Sequence, residues 1–221
     1  MLLGLAYETG MGGPVDFSQA RIWYRKAADL GLADAQFRLG KMYLAGQGGP
    51  VDYVSALPWL RKAGEQGNPQ AQWMVGSLYM YGNGGVPHDD SQALLWLDRS
   101  AAQGFRFAQR DLGTMYLNGS GTAKDSRKAG SLYRLAADQG EAGAEAELGE
   151  MYGNGIAVPK DLVQAYAWFD LAASQHLRDK EFNAQALATR RRDSMAVDMT
   201  AAQIAEARQL SATWAKQHPP R

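Results

Sequence analysis

The sequence predicts an all-α solenoid, a stack of five helix pairs followed by two closing helices. Three observations predict it. One block of residues recurs five times along the 221-residue chain, with a period of 36 and one extra residue in the third loop. Each block carries an aspartate where a second helix should begin. Each also carries Gly-rich punctuation in the same place, as "GMGGP", "GQGGP", "GNGGVP", "GSGTAK" and "GIAVPK". Because this punctuation repeats and has neither a preceding strand nor a following Lys-Ser or Lys-Thr, it is read as turns and not as a phosphate cradle.

The elements follow in order from the columns of the repeat. Leu3-Gly4, Leu39-Gly40, Val75-Gly76, Leu112-Gly113 and Leu148-Gly149 each precede a tyrosine by three residues: Tyr7, Tyr43, Tyr79, Tyr116 and Tyr152. This spacing puts an apolar stripe on one face of a first helix, with a glycine where a neighbouring helix comes close. Gly10, Gly46, Gly82, Gly119 and Gly155 are expected to end that helix in the left-handed conformation. Asp16, Asp52, Asp89, Asp125 and Asp161 stand as N-caps of the second helix. Ala20, Ala56, Ala93, Ala129 and Ala165, then Trp23, Trp59, Trp96, Leu132 and Trp168, form its apolar face, and Gly31, Gly67, Gly104 and Gly140 close it. Neither helix buries its face alone, so the units must stack. Pro58, inside the second helix of the second unit, removes a backbone bond at a cost of ~3 kcal/mol and is expected to kink it.

Composition narrows the function classes. Hydrophobic residues make up 46% and charged residues 21%, as in ordinary globular chains. Lys plus Arg equals Asp plus Glu at 23 each, so no net field draws nucleic acid or an anionic membrane. There are no cysteines, which excludes disulfides, thiolate catalysis and Cys-type zinc sites. No apolar run is long enough to span a bilayer, and no signal peptide is visible.

The stretches "AQFRLGKMYLAGQGGPVDYVSALPWLRKAGEQG" and "AQRDLGTMYLNGSGTAKDSRKAGSLYRLAADQG" resemble the Sel1-like repeat family, a branch of the tetratricopeptide-like α-solenoids. The resemblance covers residues 1 to 176 or so, with modest departures: Leu132 for Trp, Ala157 for a second loop Gly, and His176 for a closing Gly. It implies a right-handed solenoid with repeats at 1–32, 33–68, 69–105, 106–141 and 142–178, closing helices over 179–217 and a tail at 218–221. Met1 aligns with Phe37, so the first repeat is expected to be N-terminally truncated and the chain to be a fragment. In the closing segment, Thr200 is expected to cap a last helix with Ile204, Leu210 and Trp214 facing inward.

Catalytic constellations are thin. His88, His176 and His218 share no metal-ligand spacing, and HExxH and GxSxG do not occur. The resemblance extends to proteins linked to β-lactam binding or hydrolysis, but no Ser-x-x-Lys is present. "RRR" at 190–192 is spread around a helix, since successive positions point about 100° apart. "NGS" at 118–120 is a turn. The chain is expected to be no enzyme and to need no metal or cofactor.

What remains is surface. On the first helices, the side away from Ala35, Leu39, Met42 and Tyr43 carries Phe37, Lys41 and Leu44. Its counterparts are Trp73, Ser77 and Met80, then Arg110, Thr114 and Leu117, then Ala146 and Glu150. Phe37, Lys41, Trp73, Ser77, Arg110, Thr114 and Glu150 are therefore expected to line a concave groove for a peptide or protein partner, the alternative being that Phe37, Trp73 and Leu44 are buried between adjacent units. Such a groove would run toward acid at Glu145, Glu147 and Glu150. The expected function is an interaction scaffold or adaptor with a protein or peptide partner, without nucleic acid or membrane insertion. The alternatives are a hydrolase or glycan-binding module, and a structural repeat that self-associates through its truncated first unit. The resemblance implies bacterial envelope, secretion or signalling assemblies, favouring the periplasm or exterior slightly over the cytoplasm.

Overall fold

The computed structural model describes residues 1–174 and 182–218, in which every regular element is an α-helix. His176 and the junction between the fifth repeat and the closing segment lie outside the described residues, as does the end of the tail. The chain forms two compact units, residues 1–105 and 106–221.

The first unit contains α1 (Leu2–Thr9), α2 (Phe17–Asp29), α3 (Ala33–Ala45), α4 (Tyr53–Glu65), α5 (Pro69–Tyr81) and α6 (Asp90–Ala102), each packed on the next. The capping expectations hold: the carboxylates of Asp16, Asp52 and Asp89 accept from the backbone N–H of Gln19, Ser55 and Gln92 at 2.9–3.0 Å. Gly10, Gly46 and Gly82 end α1, α3 and α5 with φ of 74°, 65° and 60°. Helix α4 runs through Pro58 without a break.

The glycine of each Leu-Gly pair receives a side chain from the second helix. A methyl group on Gly40 would lie 2.6 Å from Leu60 Cγ, and one on Gly76 would lie 2.7 Å from Leu97 Cγ. The sequence pattern singled out the Trp columns. The residue after them is more deeply buried than they are: Tyr24, Leu60, Leu97 and Tyr133 are fully buried, and Phe169 is almost so.

Buried glutamines tie each pair to the one before it. Gln36 donates to the Ala28 carbonyl at 3.2 Å and accepts from Gln66 at 2.8 Å, and Gln66 also donates to the Gly31 carbonyl at 3.0 Å. One repeat later, Gln72 donates to the Gly64 carbonyl at 2.8 Å and accepts from Gln103 at 2.7 Å. The Ala28 and Gly64 carbonyls also accept from Gly31 and Gly67 N–H at 3.0 Å, so each amide adds a second donor at the end of the preceding helix.

The second unit contains α7 (Arg106–Asn118), α8 (Ser126–Ala137), α9 (Ala142–Asn154), α10 (Leu162–Ser174), α11 (Phe182–Ala196) and α12 (Ala201–Gln217). Asp125 caps α8 through Lys128 N–H at 2.9 Å, and Asp161 accepts from Val163 and Gln164 at 2.9 and 3.0 Å. Gly119 and Gly155 have φ of 79° and 69°. Ala157, standing for a loop glycine, keeps the left-handed conformation with φ 60° and carries its strain. The Gln139 to Gln109 bond, 2.8 Å, repeats the amide link.

Both α11 and α12 pack on α10 and close its exposed side. Ala188 joins Phe169 and Ala172, while Ile204 packs beside Tyr166, Ala167 and Ala207. Trp214 meets Trp168 edge-on at 5.0 Å. Thr200 caps α12 in a full capping box with Gln203. Leu210, expected to face inward, is 37% exposed and sits at the rim of the Trp168–Trp214 contact, because the helix turns it past the seam that Ala207 and Ser211 fill.

Candidate functional site

The first-helix residues separate into two groups when placed on the two units. In the first unit, Phe37 is only 8% exposed, so its ring is core and offers no anchor to a partner. Stacking covers a wider arc of a first helix than a helical wheel assigns to its inner face. Lys41 lies exposed beside it, with its ammonium 5.4 Å from the Phe37 ring centroid. Trp73, one repeat on from Phe37, is half-buried and packs on Phe105 with centroids 5.6 Å apart and planes tilted by 53°. Ser77 is half-buried one turn further along α5, and a turn beyond it Tyr81 is 59% exposed. Tyr81 was not among the residues picked from the sequence; a large exposed aromatic at the Trp73, Ser77, Tyr81 spacing was the available signal.

In the second unit the equivalent residues hold an internal polar network. Arg110 donates from Nη2 and Nε to Asp111 Oδ1 at 2.7 and 2.9 Å, and from Nη1 to Glu141 Oε1 at 2.8 Å. Both carboxylates are almost fully buried. Glu141 also accepts from Ala144 N–H and thereby caps α9. Thr114 lies 3.1 Å from the Tyr133 hydroxyl, whose pKa burial drives up, with Glu147 adding to the rise. Glu150 pairs with Arg191 of α11 at 2.9 Å and accepts from Asn154 at 3.1 Å. Arg110, Thr114 and Glu150 are thus structural parts of this unit.

Glu147 shares this acidic region. Burial raises its carboxyl pKa, Glu150 raises it further, and Arg110 opposes both. With its folded pKa above the unfolded one, the native state binds the extra proton, so stability falls as pH rises through the folded value. Glu147→Gln is therefore expected to stabilise the protein at pH 7 and to give no gain at about pH 3, below the ordinary glutamate pKa of about 4.3. Urea denaturation of both proteins at the two pH values checks this.

The two described histidines each have local partners. His88 is exposed, with Nδ1 2.9 Å from the Met80 carbonyl and Nε2 3.2 Å from Asp90, and His218 stacks on Trp214 at 3.9 Å. Among the described residues no group of three or more His, Asp or Glu is placed to hold a metal ion, and no helix is long and apolar enough to cross a membrane. The arginines at 190–192 are dispersed: Arg191 pairs with Glu150, while Arg192 reaches Asp170 at 3.1 Å and Asp193 at 2.9 Å.

Comparison with known proteins completes the picture. The Sel1 repeat family matches residues 1–32, 33–68, 69–105, 106–141 and 142–177. A Sel1 repeat protein from Oxalobacter formigenes is 34% identical, with a TM-score of 0.73 over 80% of this chain and 72% of that one. The protective antigen c5321 of uropathogenic Escherichia coli, which displays an SLR fold, is 30% identical, with a TM-score of 0.61 over 98% of this chain. This chain spans about half of that antigen's length, 52%. A Sel1 repeat protein from Klebsiella pneumoniae shares the fold at 21% identity and a TM-score of 0.56, over 86% of this chain and 98% of that one. No curated protein matches the sequence. Sel1 repeat proteins are generally non-catalytic scaffolds for protein interactions. Five matched repeats and an all-helical architecture make this chain a member of the Sel1 repeat family.

Proposed function

We propose that this protein is a non-catalytic scaffold that holds a protein or peptide partner on the first-helix face of residues 1–105. The observation that carries this reading is the half-covered Trp73 ring braced on Phe105, with Tyr81 59% exposed along the same helix. Rigid aromatic rings give large contact area for little lost conformational entropy. Lys41 adds a cation on the same face, and Ser77 a hydroxyl between the two rings. The helices beneath are fixed by caps and glutamine links, so a docking partner meets a preorganised surface. The reading is tested by capture from source-cell extract with wild-type and Trp73→Ser/Tyr81→Ser baits of equal helicity by circular dichroism. A protein held by wild type and lost by the variant supports the reading. Identical capture by both baits overturns it.

A further inference from the structure

In the second unit, α8 and α9 leave an open cleft of about 530 Å3 between them. Its floor is Leu148, Met151 and Tyr152 of α9. At this cleft α8 lacks the large side chains that its repeat columns carry elsewhere. Five residues beyond the capping aspartate stand Arg21, Leu57, Leu94, Gly130 and Tyr166, and in the next column Ile22, Pro58, Leu95, Ser131 and Ala167. Tyr166 is buried at that position. Arg21, in the first repeat, lies 3.7 Å over the Tyr43 ring and donates to the Gly48 carbonyl at 3.3 Å, across the corresponding hollow of α2 and α3. Gly130 sends nothing across. A methyl group there would meet only the mobile end of Met151, at 3.1 Å from Cε.

The charged residues that line the cleft are both arginines. Arg127 and Arg134 flank it, and no carboxylate is among its lining residues. Arg127 is exposed and has no ion-pair partner among the described residues. Arg134 stacks 4.1 Å from Trp214 and meets Asp138 at 3.4 Å, in a solvent-exposed pair that a stronger ligand displaces at little loss. The smaller hollow of α2 and α3 has the same character, with Arg21, Arg25 and Lys26 and no carboxylate in its lining. Arg25 and Arg134 occupy the same repeat column.

We propose that the α8–α9 cleft binds an acidic peptide segment of a partner protein. One large aliphatic or aromatic side chain sits over Leu148, Met151 and Tyr152, and a neighbouring carboxylate meets Arg127. The volume suits this occupant, since pockets that hold ligands span roughly 300–1,000 Å3. Arginine is the residue that best grips a carboxylate in two-pronged geometry. The site shares no residue with the Trp73 face, so either can fail without the other.

The test is fluorescence anisotropy of the full chain with three labelled peptides: Glu-Glu-Leu-Phe-Glu-Glu, Lys-Lys-Leu-Phe-Lys-Lys and Glu-Glu-Ser-Ser-Glu-Glu. The first is expected to bind and the other two to bind far more weakly. Gly130→Leu and Arg127→Glu are each expected to weaken the first by about tenfold or more, and Trp73→Ser to leave it unchanged. Leucine already fills that column as Leu57 and Leu94, so the variant should fold. Exposed Arg127→Glu keeps the test decisive if it does not. The proposal is overturned if the first peptide does not bind, if all three bind alike, or if both variants bind as wild type does. A change of sedimentation mass in Gly130→Leu, without an effect on peptide, would assign the cleft to a second copy of the chain and overturn it as well.

Discussion

Gly40→Ala is expected to lower stability by about 1 kcal/mol despite placing a better helix former in α3. The added methyl would stand 2.6 Å from Leu60 Cγ and 2.7 Å from Cδ2. Leu60 is completely buried and has no room to retreat. Overpacking of this kind costs about 1–3 kcal/mol, and the gain in helix propensity returns only about 1. Leu60→Ala alone should cost about 3 kcal/mol through the cavity it leaves. Combined, the two substitutions should lose clearly less than their sum, because the new methyl enters the space that Leu60 vacates. Urea midpoints of the two single variants and the double variant measure the coupling. Strict additivity would show that α3 and α4 do not meet at this glycine.

Arg110→Met should destabilise the second unit strongly, by about 3 kcal/mol. It removes the guanidinium that Asp111 and Glu141 share while both carboxylates stay buried, and removing one partner of a buried ion pair costs about 3–5 kcal/mol. Arg110 is itself partly exposed, which holds the figure to the lower end. Adding Glu141→Gln should recover part of the loss, since an amide oxygen can still accept from Ala144 N–H to cap α9 without carrying charge. Thermal melts of both variants decide it. No recovery in the double variant would mean that Asp111 alone, or simple loss of packing, accounts for the damage.

The parts of this structure legible in the sequence are those governed by local rules. Asp52 reads as a cap because its partner, Ser55 N–H, is three residues away, and Gly46 reads as a helix stop because its left-handed φ of 65° suits glycine. The glutamine links escaped notice although Gln36, Gln72 and Gln109 recur, because their bonds close between segments about 30 residues apart, as from Gln66 to Gln36. The first-helix wall is less legible. A wheel places Phe37 and Trp73 in one column, but what covers each depends on the neighbouring helices, so one is core and the other half-open. Arg110 shares that column, and only the fold reveals Asp111 and Glu141 beside it. The small residues of the α8–α9 cleft, Gly130 and Ser131, stand out in the sequence only when repeat columns are compared for what they lack.

The central claim is that the Trp73 face holds a protein partner. Its most direct measurement is photo-crosslinking in source cells, with benzoylphenylalanine placed at Tyr81 and, as control, at Leu30. Both positions are exposed, at 59% and 83%, but Leu30 lies in the turn after α2 and not on the first-helix column of Trp73 and Tyr81. A discrete protein adduct from position 81 that is absent from position 30 and lost on Trp73→Ser is the predicted result. Equal adducts from both positions, or an adduct from position 81 that survives Trp73→Ser, would contradict it.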